Sequence, residues 1–349
     1  MKILHTADIH LRRYKDERWL ALENLIEIGK KESIDVFVIS GDLFEREVDS
    51  ENLRPRIREV FSGTGFKIIL IPGNHDIDSY KSWTYFGEDV FILKDLQSPL
   101  ELENVRIWGM PFEDIDEEKT FERLYSIKER IRKDKKNILL FHGELIDSFF
   151  SRKDFGEEGE KRYMPVKLSY FKEIDFDYVL AGHLHSRFDI WKMPNGGFFV
   201  YPGSPVSVTK KETGKRKVNL FEVGKEPKEY PVRSFHYEKI DIKVDPFEEG
   251  DPFEKVKERI EKTEPEAKIL LKVEGYIDRK MYDEKSFIEK ILRYRERYAE
   301  LPKIQIRDIH DIVEDDLFKS LLKKIQGFDE ERKKRLIDLA IRAMIEAGI

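Results

Sequence analysis

Five short polar motifs, each directly after an apolar run of strand length, recur in a fixed order over the first 185 residues: Asp8-Ile9-His10, Gly41-Asp42, Gly73-Asn74-His75-Asp76, His142-Gly143-Glu144 and Gly182-His183-Leu184-His185. Continuous apolar runs belong to strands buried on both faces, which requires helices packed over a layered sheet. Residues just beyond such strands meet along one edge, where open α/β sheets place their sites. The pattern therefore predicts an α/β fold with metal-binding side chains gathered at one sheet edge. Strands are predicted over 2–6, 36–40, 67–71, 90–93, 105–110, 137–141, 178–181, 197–201 and 217–222, and helices over 16–31, 50–62, 120–134 and 166–172.

Taken singly, each motif has an ordinary reading. Asp-Ile-His can end a strand in a surface turn, and Gly-Asp is common turn chemistry. Gly-His-Leu-His puts two imidazoles on one face only if the backbone is extended. Their joint order decides the matter, because five of the eight histidines, His10, His75, His142, His183 and His185, fall in these strand-end motifs. His5, His236 and His310 fit none of them, and His5, inside the first strand, reads as a core imidazole.

Hydrolysis of a phosphodiester uses two cations about 3.5–4 Å apart, which clamp the phosphoryl oxygens and activate a water. Oxygen donors mixed with imidazoles suit Mn²⁺, Fe or Zn²⁺, with Mn²⁺ the expected pair, and thiolate sites are excluded because the chain has no cysteine. In the favoured assignment Asp8, His10 and His185 hold one metal, Asn74, His142 and His183 the other, and Asp42 bridges them. His75 then stands free of the metals. It is expected to stabilise charge and protonate the leaving oxygen during in-line attack by an activated water, held in place by Asp76.

On these motifs, residues 1–225 resemble the calcineurin-like metallophosphoesterase superfamily, and within it the DNA double-strand-break repair nucleases of the SbcD type. Asp8-Ile9-His10-Leu11, Gly41-Asp42-Leu43-Phe44 and Tyr201-Pro202-Gly203-Ser204 carry that narrower likeness. Protein phosphatases of the superfamily instead carry Asp-Arg-Gly after the second motif and Gly-Asn-His-Glu at the third, where this chain has Phe44-Glu45-Arg46 and Asp76. The resemblance implies a four-layer α/β/β/α sandwich, a metal-dependent DNA endo- and exonuclease, and a homodimer. It also implies an ABC-type coiled-coil ATPase partner of the SbcC class. This chain has Arg12 where the family usually has Gly, and Glu45 where it usually has a histidine associated with positioning DNA for exonucleolytic cutting. That leaves open whether the exonuclease mode is retained, while all seven donors are intact. A carboxylate at 45 also repels a phosphate backbone unless it is paired.

At 349 residues the chain is long enough for about two domains. Forty percent apolar residues and 38% charged, with net charge −6, read as a soluble protein with an ample core. The first apolar run is too short for a signal peptide and no stretch of about 18 apolar residues occurs, so a cytoplasmic protein is expected. Abundant Lys, Arg and Glu with few Asn and Gln suggest a thermophilic source. The acidic balance counts against a stand-alone DNA binder. Local basic clusters soften this, with Arg12 and Arg13 beside the first motif, Arg152-Lys153, Lys161-Arg162, and Lys210, Lys211, Lys215 and Arg216 on an expected hairpin tip.

A boundary is expected at 224–231, which combines Gly224, Pro227 and Pro231 with charge. Beyond it, residues 235–325 read as a small α+β module with strands over 237–244, 268–273 and 303–307 and helices over 252–262 and 282–298. The resemblance implies that this module caps the nuclease and grips DNA; a dimerisation or stability element is the plainer alternative. Residues 326–349 form an amphipathic helical segment, for which the resemblance implies docking to the ATPase. No Gly-x-x-x-x-Gly-Lys-Ser/Thr is present, so any ATP dependence comes from another chain. One alternative, a metallophosphoesterase acting on a small phosphodiester or a phosphoprotein, shares the same donors; another, a non-catalytic scaffold, would be expected to have lost ligands, and none is lost here.

Overall fold

Valine, isoleucine, leucine and phenylalanine fill the runs that precede the motifs, and such residues stabilise a pleated strand only when both faces are covered. The computed structural model describes residues 1–81, 84–147, 163–246, 248 and 250–347. Arg152, Lys153, Lys161 and Arg162 lie outside them. The chain divides into two units, Met1–His236 and Tyr237–Ile349.

The first unit contains β1 (Lys2–Thr6), α1 (Glu17–Glu32), β2 (Val36–Ser40), α2 (Glu47–Phe61), β3 (Lys67–Ile71), β4 (Val90–Ile92), β5 (Leu100–Glu101), β6 (Val105–Met110), α3 (Glu117–Tyr125), β7 (Lys136–His142), β8 (Tyr178–Gly182), β9 (Asp189–Lys192), β10 (Phe198–Tyr201), β11 (Arg216–Glu222) and β12 (Glu229–Val232). Two six-stranded sheets result, ordered β12-β11-β1-β2-β3-β4 and β5-β6-β7-β8-β10-β9. In the first, β1 to β4 run parallel, with β11 and β12 antiparallel at one end. In the second, β6, β7, β8 and β10 are parallel and the edge strands β5 and β9 antiparallel.

Alternation along each strand sorts side chains into separate cores. Ile3, Val38, Ile69 and Ile71 meet Ile107, Ile138, Leu140 and Leu180 between the sheets. Leu4, Phe37, Ile39 and Leu70 turn outward against Trp19, Leu22 and Leu25 of α1 and Leu53 and Ile57 of α2. On the opposite outer face Leu139, Phe141, Val179 and Phe199 pack against Leu124 of α3 and Phe171. The unit is thus a four-layer α/β/β/α sandwich.

Where elements depart from expectation, local competition explains it. The helix expected over 120–134 ends at Tyr125, because Ser126 Oγ donates to the Arg123 carbonyl at 2.7 Å and breaks the ladder. Instead of a helix over 166–172, one 3₁₀ turn (Leu168–Lys172) forms, since Val166 bridges Leu145. The boundary expected at 224–231 includes most of β12, and the division between units falls after His236. Pro231 is accommodated because β12 is an edge strand.

The second unit has the sheet β13 (His236–Val244), β14 (Ala267–Ile277) and β15 (Lys303–Asp308) in that order. Helices α4 (Pro252–Glu261) and α5 (Glu284–Leu292) bury Phe253, Val256, Ile260, Phe287 and Ile291 against it. A separate cluster joins Tyr276 and Ile312 of α6 (Ile309–Glu314), Phe318 of α7 (Asp316–Lys324), and Ile341 and Met344 of α8 (Glu330–Ala347). Among the described residues, no helix is long and apolar enough to cross a membrane.

The packing separates cost by layer. Leu140→Ala, in the core between the sheets, should destabilise by about 2–5 kcal/mol. Leu20→Ala, 55% exposed on α1, should stay within about 0.5 kcal/mol. Denaturant unfolding of both variants checks this.

Candidate metal centre

Strand order dictates which motifs meet. β1, β2 and β3 are adjacent in one sheet, β7 and β8 in the other, and the turns that follow all five lie at the same edge. Asp8, His10, Asp42, Asn74 and His75 come from the first sheet, and His142, His183 and His185 from the second. Direct bonds tie these turns together: the Asp8 N–H donates to the Gly41 carbonyl at 3.1 Å and the His10 N–H to the Asp42 carbonyl at 3.0 Å. Across the sheets, the His183 N–H donates to both Asp8 carboxylate oxygens, at 3.1 and 3.0 Å.

The backbone is forced to reach this arrangement. Asp8, His10, Asp42 and His183 all adopt positive φ, at 56°, 54°, 51° and 95°. Such conformations cost on the order of 1–3 kcal/mol each and persist where the surroundings over-determine them. The glycines of two motifs are fixed by close approach: a Cβ at Gly41 would stand 2.1 Å from His142 Nδ1, and one at Gly73 would stand 2.1 Å from Asp42 Oδ1.

The donors converge on Asp42. Its Oδ1 accepts the His75 N–H at 2.9 Å. Its Oδ2 is buried with no hydrogen-bond partner among the described residues, and lies 3.3 Å from His142 Nε2 and 3.8 Å from His10 Nε2. His142 Nε2 is also 2.9 Å from Asn74 Oδ1, while His10 Nε2 is 3.3 Å from His185 Nε2, itself 3.6 Å from Asp8 Oδ1. An unsatisfied buried carboxylate oxygen between two imidazole nitrogens fits a bridging ligand, and the mixed oxygen and nitrogen set fits first-row divalent cations. Asp8, His10 and His185 form one set close enough for a metal, and Asp8, Asp42 and His142 another. His10, Glu45 and His75 make a third, and Asp278, Asp308 and His310 a fourth in the second unit.

Electrostatics follow from burial and these contacts. Burial alone would raise Asp42, but the facing His142 and His10 hold it well below the usual carboxylate range. Burial would lower His142, yet Asp42 outweighs it and lifts the imidazole to about 10. His183 is pushed well below its ordinary value, first by burial and then by His142 and His185.

Several residues play parts the sequence did not reveal. Asp76 does not reach His75: its Oδ1 accepts the Gly73 N–H at 2.8 Å, and its Oδ2 accepts the Phe44 N–H at 3.1 Å and the Tyr80 hydroxyl at 2.8 Å. It clamps the third motif to the second, whereas His75 Nδ1 lies 3.3 Å from the Glu45 carbonyl. Glu45 is paired, with its Oε2 2.7 Å from Arg18 Nη1 and 3.4 Å from His10 Nδ1, so its charge is compensated locally. Arg18, buried on α1, also donates to the His10 carbonyl at 2.6 Å. The expected hairpin tip is a loop folded over buried Glu212, whose Oε1 lies 3.4 Å from His185 Nδ1. Arg216, expected to face DNA, is buried, and its guanidinium donates to the Ser204 and His185 carbonyls. Arg12, Arg13, Lys210, Lys211 and Lys215 are exposed. The Tyr-Pro-Gly-Ser turn is a tie: Ser204 Oγ donates to the Asp8 carbonyl at 2.7 Å, and the Tyr201 hydroxyl donates to the Gly143 carbonyl and accepts the Leu145 N–H at 2.9 Å. His5 is a core imidazole, held neutral by burial at about 3.

Two measurements test this geometry. Because Asp42 keeps His142 protonated up to about 10, metal uptake near neutral pH should release protons and tighten as pH rises. Calorimetry in buffers of different ionisation enthalpy reads that release. Asp76→Ala should cost about 1–3 kcal/mol by orphaning two buried N–H groups and the Tyr80 hydroxyl, as read from denaturant unfolding.

Residues 1–187 match the family described as calcineurin-like phosphoesterase, a span that contains all seven donors. The chain is also similar to proteins named as the SbcD component of the nuclease SbcCD. That of Staphylococcus epidermidis is 26% identical over 254 residues, covering 62% of this chain and 64% of that protein. That of Staphylococcus saprophyticus is 27% identical over 306 residues, covering 75% of each. The chain thus spans a little under two thirds of the length of the first relative. A crystal structure from Thermus thermophilus shares 16% identity and a TM-score of 0.45, over 66% of this chain and 99% of that one.

Proposed function

The chain belongs to the calcineurin-like phosphoesterase family, and from that premise we propose that it is a two-metal-dependent DNA nuclease that processes ends in double-strand-break repair. The observation that carries the reading is the approach of His10 from one sheet and His142 from the other to the buried Oδ2 of Asp42, with Asp8 and His185 close enough to His10 to share an ion. Preference for a nucleic acid over other phosphodiesters is supported by the relatives named as components of a nuclease, and DNA is the member of that class proposed here. In this reading Asp8, His10 and His185 would hold one cation and Asn74, His142 and His183 the other, with Asp42 shared between them and Mn²⁺ the favoured metal. Bound there, the pair supplies Lewis-acid charge and an activated water.

The chain's own groups do the rest. Asp76 fixes the turn that carries Asn74 and His75, so these two act from one rigid element. His75, half-buried beside His10 with ring centroids 4.7 Å apart, is the group assigned to charge stabilisation and proton transfer to the leaving oxygen. Since Nδ1 faces the Glu45 carbonyl, Nε2 is the atom given that task. Arg12 and Arg13 beside the first motif, and Lys210, Lys211 and Lys215 on the loop over Glu212, are the side chains assigned to the phosphate backbone. The second unit and α8 are assigned to gripping DNA and to docking a coiled-coil ABC-type ATPase, the working form being a homodimer.

The test is cleavage of end-labelled linear duplex and of circular single-stranded DNA with Mn²⁺. Asp42→Ala should abolish both activities. His75→Ala should keep metal uptake by calorimetry and lower turnover about 10²–10⁴-fold. Nicking of the circle without resection of ends would assign the Glu45 variant of the site to endonucleolytic cutting. Loss of both metals in His75→Ala would overturn its role, and hydrolysis of a small chromogenic phosphodiester without DNA cleavage would overturn the substrate assignment.

A further inference from the structure

Backbone bonds carry the contact between the first and second motifs one step beyond their donors. The Leu11 N–H donates to the Leu43 carbonyl at 2.8 Å and the Glu45 N–H to the Leu11 carbonyl at 3.1 Å, so that Leu11 and Phe44 pair as a short parallel bridge. This brings Arg12 Nη2 to 3.7 Å from Glu45 Oε1. The two positions at which the chain departs from the pattern it otherwise resembles are therefore partners in space.

Glu45 divides its oxygens between two cations. Oε2 is engaged on the inner side, 2.7 Å from Arg18 Nη1 and 3.4 Å from His10 Nδ1, and Arg18 is itself fixed by its bond to the His10 carbonyl at 2.6 Å. Oε1 is left for Arg12, whose side chain is 49% exposed and whose one ionic partner among the described residues is Glu45. The Glu45 carbonyl lies 3.3 Å from His75 Nδ1, which sets the group against the side chain assigned to the leaving oxygen. One carboxylate between two guanidiniums leaves a net positive charge, and the outer cation carries it to solvent. A guanidinium offers five N–H donors in a planar fork. An ion pair at 3.7 Å steers that fork without using up its donors, which remain for the oxygens of a phosphate. Exposed pairs of this kind add little to stability, so stability alone does not account for the arrangement.

Resting on the nuclease reading above, we infer that Arg12 grips a substrate phosphate beside the centre and that Glu45 is its positioning residue. A carboxylate that would repel a phosphate backbone by itself thus presents a cation to it. The two act as a unit, because removing Arg12 turns Glu45 from a support into a repulsion.

Cleavage of duplex DNA by the full chain at saturating Mn²⁺, with KM and kcat measured for single and paired variants, tests the inference. Arg12→Gly should raise KM about tenfold or more, and Arg12→Lys, which keeps the charge without the fork, should fall between it and the wild type. Glu45→Gln should raise KM in the wild-type background yet lower it in the Arg12→Gly background, where the carboxylate it removes faces phosphate without its outer cation. The salt dependence of DNA binding should lose about one unit of slope in Arg12→Gly. Should Glu45→Gln fail to fold, Glu45→Asp, which keeps the charge and shortens the reach to Arg12, should raise KM in the wild-type background and leave it unmoved in Arg12→Gly. Effects at Glu45 that are equal in both backgrounds, or that fall on kcat alone, would mean that it acts through His10 and would overturn the inference while the nuclease reading stands. An Arg12→Gly chain with the KM and salt slope of the wild type would do the same. A wild-type chain that cleaves no DNA would overturn both.

Discussion

A carboxylate buried away from water is among the most costly groups a protein interior can hold, and Asp42 is one, its Oδ2 3.3 Å from His142 Nε2 and 3.8 Å from His10 Nε2. Its neighbours are imidazole nitrogens drawn from both sheets. The geometry resolves once positive charge is brought among them, and much else in the first unit serves to hold that arrangement in register. The left-handed backbone at Asp8, His10, Asp42 and His183, the glycines that let turns approach within contact, and the bonds from Ser204 and Tyr201 all maintain donors at one edge. The strain is concentrated there and offset by the cores between and outside the sheets.

Much of the fold was legible in the chain. Strands β1, β2, β3 and β6 begin and end at the expected residues because each is a short apolar run bounded by a turn signal. The edge strands β5, β9 and β12 were not, since two to four residues paired on one side carry little periodicity, and in β12 a proline reads as linker. Residues whose chemistry is intrinsic, an aspartate or histidine after a strand, announced their gathering at one place. Those that act by what they touch did not. Arg18 sits in a helix beside apolar neighbours and Glu212 among lysines, and only the folding of α1 and of the loop before β11 brings them behind His10 and His185.

Adjacency in sequence also misled in an instructive way. Asp76 follows His75, yet in a tight turn successive side chains diverge, and Asp76 goes inward to Gly73, Phe44 and Tyr80 while His75 stays at the rim. Arg216 lies in a basic stretch, but the β11 register points it inside to two carbonyl oxygens. In both cases a charged group that looks functional is a fastener for the turns that carry the candidate donors.

The division of donors between two sheets has a further meaning. Each proposed cation draws on both sheets, so a loaded centre would rivet one half of the sandwich to the other. A chain caught with its sheets apart has no centre at all. Any chemistry such a centre performs is thereby conditional on a finished fold.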